Sequence, residues 1–443
     1  MAMGSQDYSR DSDVGNQSIV WVDSIRTKIS QRSISSLEPT SCIYRVHQRI
    51  RQVNNDAYTP DTVSIGPYHR PNPNLEAMEN HKLEYLHAVL DRTKETTSLE
   101  KYVEDLKKLE PEARKCYSEP IDLTPKQFTE MMLIDGFFIV EYFRKFSKVV
   151  LVDETDPIFN SKLIAARVVR DLVLLENQIP FLVLKTLFDM SNYPKSSSLT
   201  LIQMALMSFV DLIPNGINKY PKNASTITHK HLVDLLSYTL SNSLPKPSTI
   251  AVLSTAQESL PSVMELQRSG VKFKKGSISK SFESLIHIKF HKGIFEIPPL
   301  CIHDHTDSFF RNLIAYEQCH HTGSPHITSY AILMDYLINS ANDVALLRNG
   351  KIIINLLGND EKVSFLFSSL CDGISSNGFC YDELCNEVDV YYNKPYHYWK
   401  AAFKRKFCNS PWSIISVCTA FVLLFLTAWA TVFSTFPFYN VRP

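Results

Sequence analysis

The sequence predicts a mainly α protein: a large helical body, a small antiparallel β element inside it, and one C-terminal transmembrane helix. Three observations carry that prediction. Apolar residues recur at helical spacing through most of residues 75–407, a period-two texture interrupts them after Gly270, and Trp412 to Phe433 runs for 22 residues without a charge. At 443 residues, 44% hydrophobic and 21% charged, the chain has the composition of a folded protein with a sizeable core. Lys plus Arg equals Asp plus Glu, 46 each, so no overall basic excess argues for nucleic acid and no acidic excess for a basic partner.

Residues 1–38 hold nine serines and no apolar run of signal-peptide length, and are read as a disordered N-terminal segment. Val22, Ile25 and Ile29 allow one amphipathic turn or two within it. The helical body is placed at 39–408. Val63, Ile65 and the Gly66-Pro67 break suggest an extended piece ending in a turn. Leu75, Met78, Leu83, Leu86 and Leu90 mark a first helix, and Leu99, Tyr102, Leu106 and Leu109 a second. Thr124-Pro125 opens a third as cap and first position. Its run from Phe128 to Phe146 is apolar almost all round, which belongs inside a large body. Asp135 interrupts the run and is expected to bond a nearby backbone or Arg.

Leu163 to Ile179 reads as another core helix, with Pro180 kinking it or starting the next. Leu199 to Ile213 is a further apolar helix before Pro214. Loops are expected at 214–226 and 241–249, and the clearest compositional seam lies near 214–250. His231 to Leu240 and Thr255 to Arg268 are helical, Gly270 serving as C-cap. Val271–Lys275, Ile286–Phe290 and Ile294–Ile297 then alternate with period two and predict the small antiparallel sheet. Lys272 to Lys275 reads as its wet face, with a lipid-headgroup or RNA contact as the alternative. Helices resume at Ser308–Cys319, Thr328–Arg348, Glu361–Leu370 and Tyr381–Phe407, with a short apolar strand or a buried extended piece at Lys351–Leu357.

The anchor is placed at 409–434, followed by residues 435–443. Twenty-two helical residues reach roughly 33 Å, enough for a hydrocarbon core of about 30 Å. Ser410 is read as cap, Pro411 as first position and Pro437 as the stop. Trp412, Phe421, Leu424, Trp429 and Phe433 are the membrane-anchor residues. Lys400, Lys404, Arg405 and Lys406 form a basic collar before the span, so the bias of basic residues toward the cytosol puts the body there. With so few residues after the span, insertion is expected after translation. The aromatics before the collar, Tyr391, Tyr392, Tyr396, Tyr398 and Trp399, either sit at headgroup level or pack on the body.

No catalytic, cofactor or metal residue is assigned. The chain lacks G-x-S-x-G, H-E-x-x-H, G-x-x-x-x-G-K-[ST], G-x-G-x-x-G and C-x-x-C, and only 13 glycines are available for phosphate-cradling loops. Nine cysteines without regular pairing read as reduced thiols. The sequons at Asn16 and Asn223 would stay unmodified on a cytosolic body. The densest reactive group is Cys301, His303, Asp304, His305, Cys319, His320, His321 and His326. Its spacing matches no zinc pattern, and His320 and His321 diverge by about 100° on a helix. Cys380 and Cys385 are a weaker pair.

Ten strings, in order, resemble one known family. They are IYRV (43–46), AYTPDTVSIGPYH (57–69), MENHK with YL (78–86), MMLIDGFFIVE (131–141), DLVLLENQIPF (171–181), SGVKFK (269–274), FEIPPL (295–300), FRNLIAYEQC (310–319), ITSYAILMDYLIN (327–339) and NSPW (409–412). On these the chain is similar to the plant domain-of-unknown-function 247 family. His47 and His303 depart from that pattern, which sets the histidine cluster apart from it. The resemblance implies a helical body with a single C-terminal span. It implies no agreed activity, cofactor or catalytic residue, and, for members encoded at grass self-incompatibility loci, a part in pollen–stigma recognition. The expected function is therefore a membrane-anchored plant protein without enzymatic activity, its partners the lipid bilayer and an unidentified protein in recognition or signalling, with no nucleic acid. The alternative is a membrane-bound hydrolase or transferase using a Cys/His pair in the body.

Overall fold

The computed structural model describes residues 21–27, 41–191, 198–213, 228–241, 260–276, 285–320, 324–375, 378–407 and 411–439. Residues 1–20 and 28–40, and so most of the segment expected to be disordered, lie outside these, as do most of the two expected loops, the sequons and Ser410. Residues 21–27 form the short helix expected there. The fold is mainly α, and the chain divides into two compact units. One comprises 1–51, 58–208 and 225–235, the other 52–57, 209–224 and 236–443.

The first unit is built around its third long helix. In chain order it has α1 (Glu76–Thr93), α2 (Leu99–Lys115), α3 (Pro125–Phe146), α4 (Lys162–Asp171), α5 (Phe181–Met190) and α6 (Leu201–Ser208); α7 (Leu232–Ser241) follows. Each start has a local cause. The Ser98 hydroxyl accepts from the Lys101 amide, and Thr124 and Gln127 form a reciprocal capping box ahead of Pro125. From Phe128 to Lys145 nearly every side chain of α3 is buried, because α1, α2, α5 and α6 pack around it.

Two expectations change here. The inward face of α1 is Met78, Lys82, Tyr85, Leu86 and Val89, while Leu83 is exposed. The helix expected over Leu163–Ile179 stops at Asp171, and 172–180 is buried irregular chain. Its side chains bond distant backbone instead of continuing a helical ladder. Pro180 then starts α5.

The second unit contains α8 (Val263–Arg268), β1 (Lys272–Lys275), β2 (Lys289–His291), β3 (Ile294–Ile297), β4 (Leu300–Ile302), α9 (Thr306–Cys319), α10 (His326–Leu337), α11 (Ala341–Asn349), β5 (Ile353–Asn355), α12 (Asp360–Leu370), α13 (Asp382–Tyr392), α14 (Pro395–Phe407) and α15 (Pro411–Tyr439). Gly270 ends α8 with φ +93°, and the Val271 and Gly270 amides close back on Leu266 and Gln267. β2 and β3 form the expected antiparallel hairpin, turning through Lys292 and Gly293, both at positive φ. β1 joins the other edge of β3 in parallel, so the three-stranded sheet is mixed. The chain between β1 and β2 is long enough for that crossover. Phe273, Phe295 and Phe290 line up across the three strands at 5.5 Å ring separations. β4 and β5 make a second, parallel pair.

The helix expected over Thr328–Arg348 is two, broken between Leu337 and Ala341, and that over Tyr381–Phe407 is two, broken before Pro395. A proline disfavours helical dihedrals in the residue before it, which accounts for the second break. α15 begins at Pro411 as expected but passes Pro437 to end at Tyr439.

Candidate functional site

The first unit holds the densest set of buried polar groups, a clasp where the segments 42–51, 58–69 and 171–181 meet α1 and α3. Asp171 ends α4 and turns its carboxylate onto successive amides of the 61–63 turn. It accepts from Thr62 N at 2.8 Å and Val63 N at 3.0 Å, with the Arg170 guanidinium at 2.9 Å. Asn177 continues the pairing. Its Oδ1 accepts from Ile65 N at 2.7 Å, and its Nδ2 donates to Val63 O at 2.9 Å and Asp171 O at 3.0 Å. Gln178 Nε2 donates to Leu172 O and Leu174 O, both at 2.8 Å, while its Oε1 accepts from Leu232 N at 3.0 Å.

Gly66 sits between these parts. Its amide donates to Asp135 Oδ2 at 2.9 Å. Its φ is +72°, and a Cβ there would lie 2.5 Å from Gln178 O. Only glycine meets both demands. The other Asp135 oxygen takes the Lys82 ammonium at 2.7 Å, and Lys82 also donates to Ser64 O and to Glu79 at 2.5 Å. Asp135 therefore bonds a backbone amide, as expected, and a lysine in place of an arginine.

Glu176 is the second centre. It accepts from Val46 N and Arg51 Nη2, each at 2.6 Å, with His69 at 3.3 Å and Arg45 at 3.8 Å. Burial alone would raise this carboxyl, but His69 and Arg51 bring it below its ordinary range, so it is ionised. Burial lifts Asp171 to about 6 and raises Asp135 against the pull of Lys82. A third cluster closes the far end of α3. Glu141 takes Arg92 through both oxygens at 2.8 and 2.5 Å, and Lys145 meets Asp156 at 2.7 Å, where Tyr85 also donates at 2.8 Å.

Chemically, these charges hold chain. Each carboxylate of the clasp is met by backbone amides or a cation, which is how buried charge is tolerated. Five of the thiols point the same way. The hydrogen bond to Cys116, with burial behind it, raises Cys42 and lowers Cys116, while burial raises Cys301 and Cys380 and pushes Cys371 and Cys385 to about 12. A nucleophilic thiol needs the opposite environment, partly open and electropositive. His231 Nε2 lies 3.0 Å from the Cys42 carbonyl oxygen.

The 301–326 cluster is spread over several elements. Cys301 is in β4, His303 and His305 have ring centres 6.0 Å apart, Cys319 ends α9, and His326 starts α10; His321 lies outside the described residues. Among the described residues no three of His, Cys, Asp and Glu come together as a metal site. Trp412, Phe421, Leu424, Trp429 and Phe433 all lie on α15, between 56% and 78% exposed. Lys400, Lys404, Arg405 and Lys406 all lie on α14.

The clasp is what sequence reasoning passed over. The signal was present: Asp135 and Glu141 inside an apolar run, and Glu176-Asn177-Gln178 between apolar flanks. The strings 43–46, 57–69, 78–86, 131–141 and 171–181, five of the ten that carry the resemblance, meet there.

Comparison with known proteins bears out the resemblance itself. Residues 43–426 match the plant family DUF247, described as plant protein of unknown function. The chain is 32% identical over 419 residues to UPF0481 protein At3g47200 of Arabidopsis thaliana, covering 89% of this chain and 86% of that protein. It is 24% identical over 500 residues to a second Arabidopsis thaliana UPF0481 protein, At3g02645, covering 90% and 92%. No solved structure matches the chain.

Proposed function

This chain belongs to the plant family DUF247, proteins of unknown function, and from that premise we propose that it is a non-catalytic, single-pass membrane protein whose cytosolic helical body binds another protein in recognition or signalling. The observation that carries the reading is Ile414–Ser434, a 21-residue apolar helix that is 0% buried. An uncovered apolar surface of that size is costly in water and favourable in hydrocarbon. The basic residues of α14 before it, with no acidic residue from Val390 to the end of the sequence, support a cytosolic body. The occupied carboxylates, and the raised thiols of Cys42, Cys301, Cys371, Cys380 and Cys385, support a binding role over catalysis; Cys116, the one lowered among the thiols with a resolved shift, is held by Cys42.

The full chain, expressed in plant cells, is expected to stay with the membrane pellet after alkaline carbonate extraction. Release into the supernatant overturns the anchor. Cross-linking in native membranes is expected to trap the body with one protein at fixed stoichiometry. Turnover by the purified chain that disappears on substitution of a Cys or His overturns the non-catalytic part.

A further inference from the structure

α14 presents two faces of different chemistry. Its inner face is His397 and Ala401, one helical turn apart. The His397 ring stacks on Tyr391 at 3.9 Å, Tyr391 in turn meets Phe290 of β2 edge-on at 5.8 Å, and Ala401 lies against Gly270. These contacts fix the helix to the sheet of the second unit. The opposite face carries Tyr396 and Trp399, 67% and 70% exposed, with Phe403 at 46% one turn on. At 100° per residue these three fall within a stripe about 60° wide, so they form one aromatic edge.

We propose that this edge is a second membrane-contact element: α14 lies on the cytosolic surface of the bilayer, its aromatic rings at the headgroup boundary and its basic side chains over anionic lipid. The inference rests on the reading of α15 as a membrane span. Three features single out lipid as the occupant. Only residues 408–410 separate the end of α14 from the start of α15, so α14 is held next to any bilayer α15 crosses. From Val390 to Phe407 the chain carries Lys394, Lys400, Lys404, Arg405 and Lys406 and no acid, which complements anionic headgroups. Trp and Tyr, with an apolar body and one polar edge, are the side chains that favour the water–lipid boundary. A basic helix with an aromatic edge is the pattern of an in-plane anchor.

The four tryptophans, Trp21, Trp399, Trp412 and Trp429, allow a direct test in the full chain. Variants keeping one tryptophan each, the others changed to Phe, are reconstituted in nanodiscs of phosphatidylcholine with or without 30 mol% phosphatidylserine. Phospholipids brominated near the top of the acyl chain are the quencher. Quenching of Trp399 at least twofold, weaker without phosphatidylserine, is the expected result. In Lys400→Gln/Lys404→Gln/Arg405→Gln/Lys406→Gln, that dependence on phosphatidylserine is expected to vanish. Trp399 open to aqueous iodide while Trp429 is lipid-quenched overturns the inference and leaves the span intact. Trp399 shielded from both iodide and lipid bromine means that protein covers the edge, and also overturns it. If Trp429 is not lipid-quenched either, the membrane-span reading itself fails.

Discussion

Glu317 shows how far burial moves a single residue in this fold. Its carboxylate accepts from Ile327 N and Thr328 N at 2.8 Å and from the Thr328 hydroxyl at 2.7 Å, capping α10. Amide donors at a helix start favour the charged form. Burial outweighs them and lifts the group from 4.5 to about 7. The folded chain thus binds a proton more tightly than the unfolded chain. The stability this confers is complete below pH 4.5 and is lost as pH rises through about 7. Glu317→Gln is therefore expected to flatten the fall in melting temperature between these values, removing a contribution on the order of 3 kcal/mol; thermal denaturation of the solubilised chain at several pH values measures it. The Lys82–Asp135 pair gives the complementary case. Lys82→Met leaves a buried carboxylate without its cation and is expected to cost about 3–5 kcal/mol in denaturant titration, whereas Lys82→Met/Asp135→Leu recovers most of that loss. Asp135 is legible in the sequence because a charge inside MMLIDGFFIVE demands a partner. Lys82 is not, since a lysine ordinarily faces solvent and its acceptor lies 53 residues further on.

At the level of elements, the starts were legible and some ends were not. A capping Thr with Gln three residues on, or a Pro at a first position, acts within one turn, so the start of α3 can be read locally. The end of α4 depends on Asp171, Asn177 and Gln178 reaching backbone more than a hundred residues away in sequence or packing around it, and no local pattern encodes that. The parallel placement of β1 is hidden for the same reason: alternation reveals a strand but not its neighbour. Two substitutions separate these kinds of information. Thr124→Ala removes a local cap and is expected to cost about 1 kcal/mol. Gly66→Ala forces a side chain into a positive-φ position against Gln178 O, in the middle of the clasp. It is expected to cost more than about 1 kcal/mol, and to loosen the 58–69 segment; amide exchange of Ile65 and Gly66 in the solubilised chain reads that loosening directly, while in Thr124→Ala it stays near the native rate.

For the whole molecule, the most legible feature was the one that needs no tertiary partner. An apolar run of membrane length is set by composition and length alone, and α15 spans Pro411–Tyr439 with Ile414–Ser434 uncovered. The division into two units is less so: residues 52–57 group with the second unit, where Asn54 bonds Asp307 at 2.8 Å and Ala57 O accepts from Ser308 and Asn312, and no change of composition marks them. With α15 taken as a span, as proposed, the charge around it carries an expectation about topology. Lys400, Lys404, Arg405 and Lys406 precede it, and basic residues next to a span favour the cytosolic side. A C-terminal extension carrying an Asn-X-Thr sequon is then expected to be glycosylated in microsomes, while Asn16 and Asn223, both in natural sequons on the other side of the span, stay unmodified. The reverse pattern would put the body in the lumen, away from the anionic cytosolic leaflet that the basic residues of α14 suit. Exchanging the four basic residues for Gln and adding Lys after Phe433 is expected to shift the population toward that reverse pattern, because orientation follows the side on which the Lys and Arg lie.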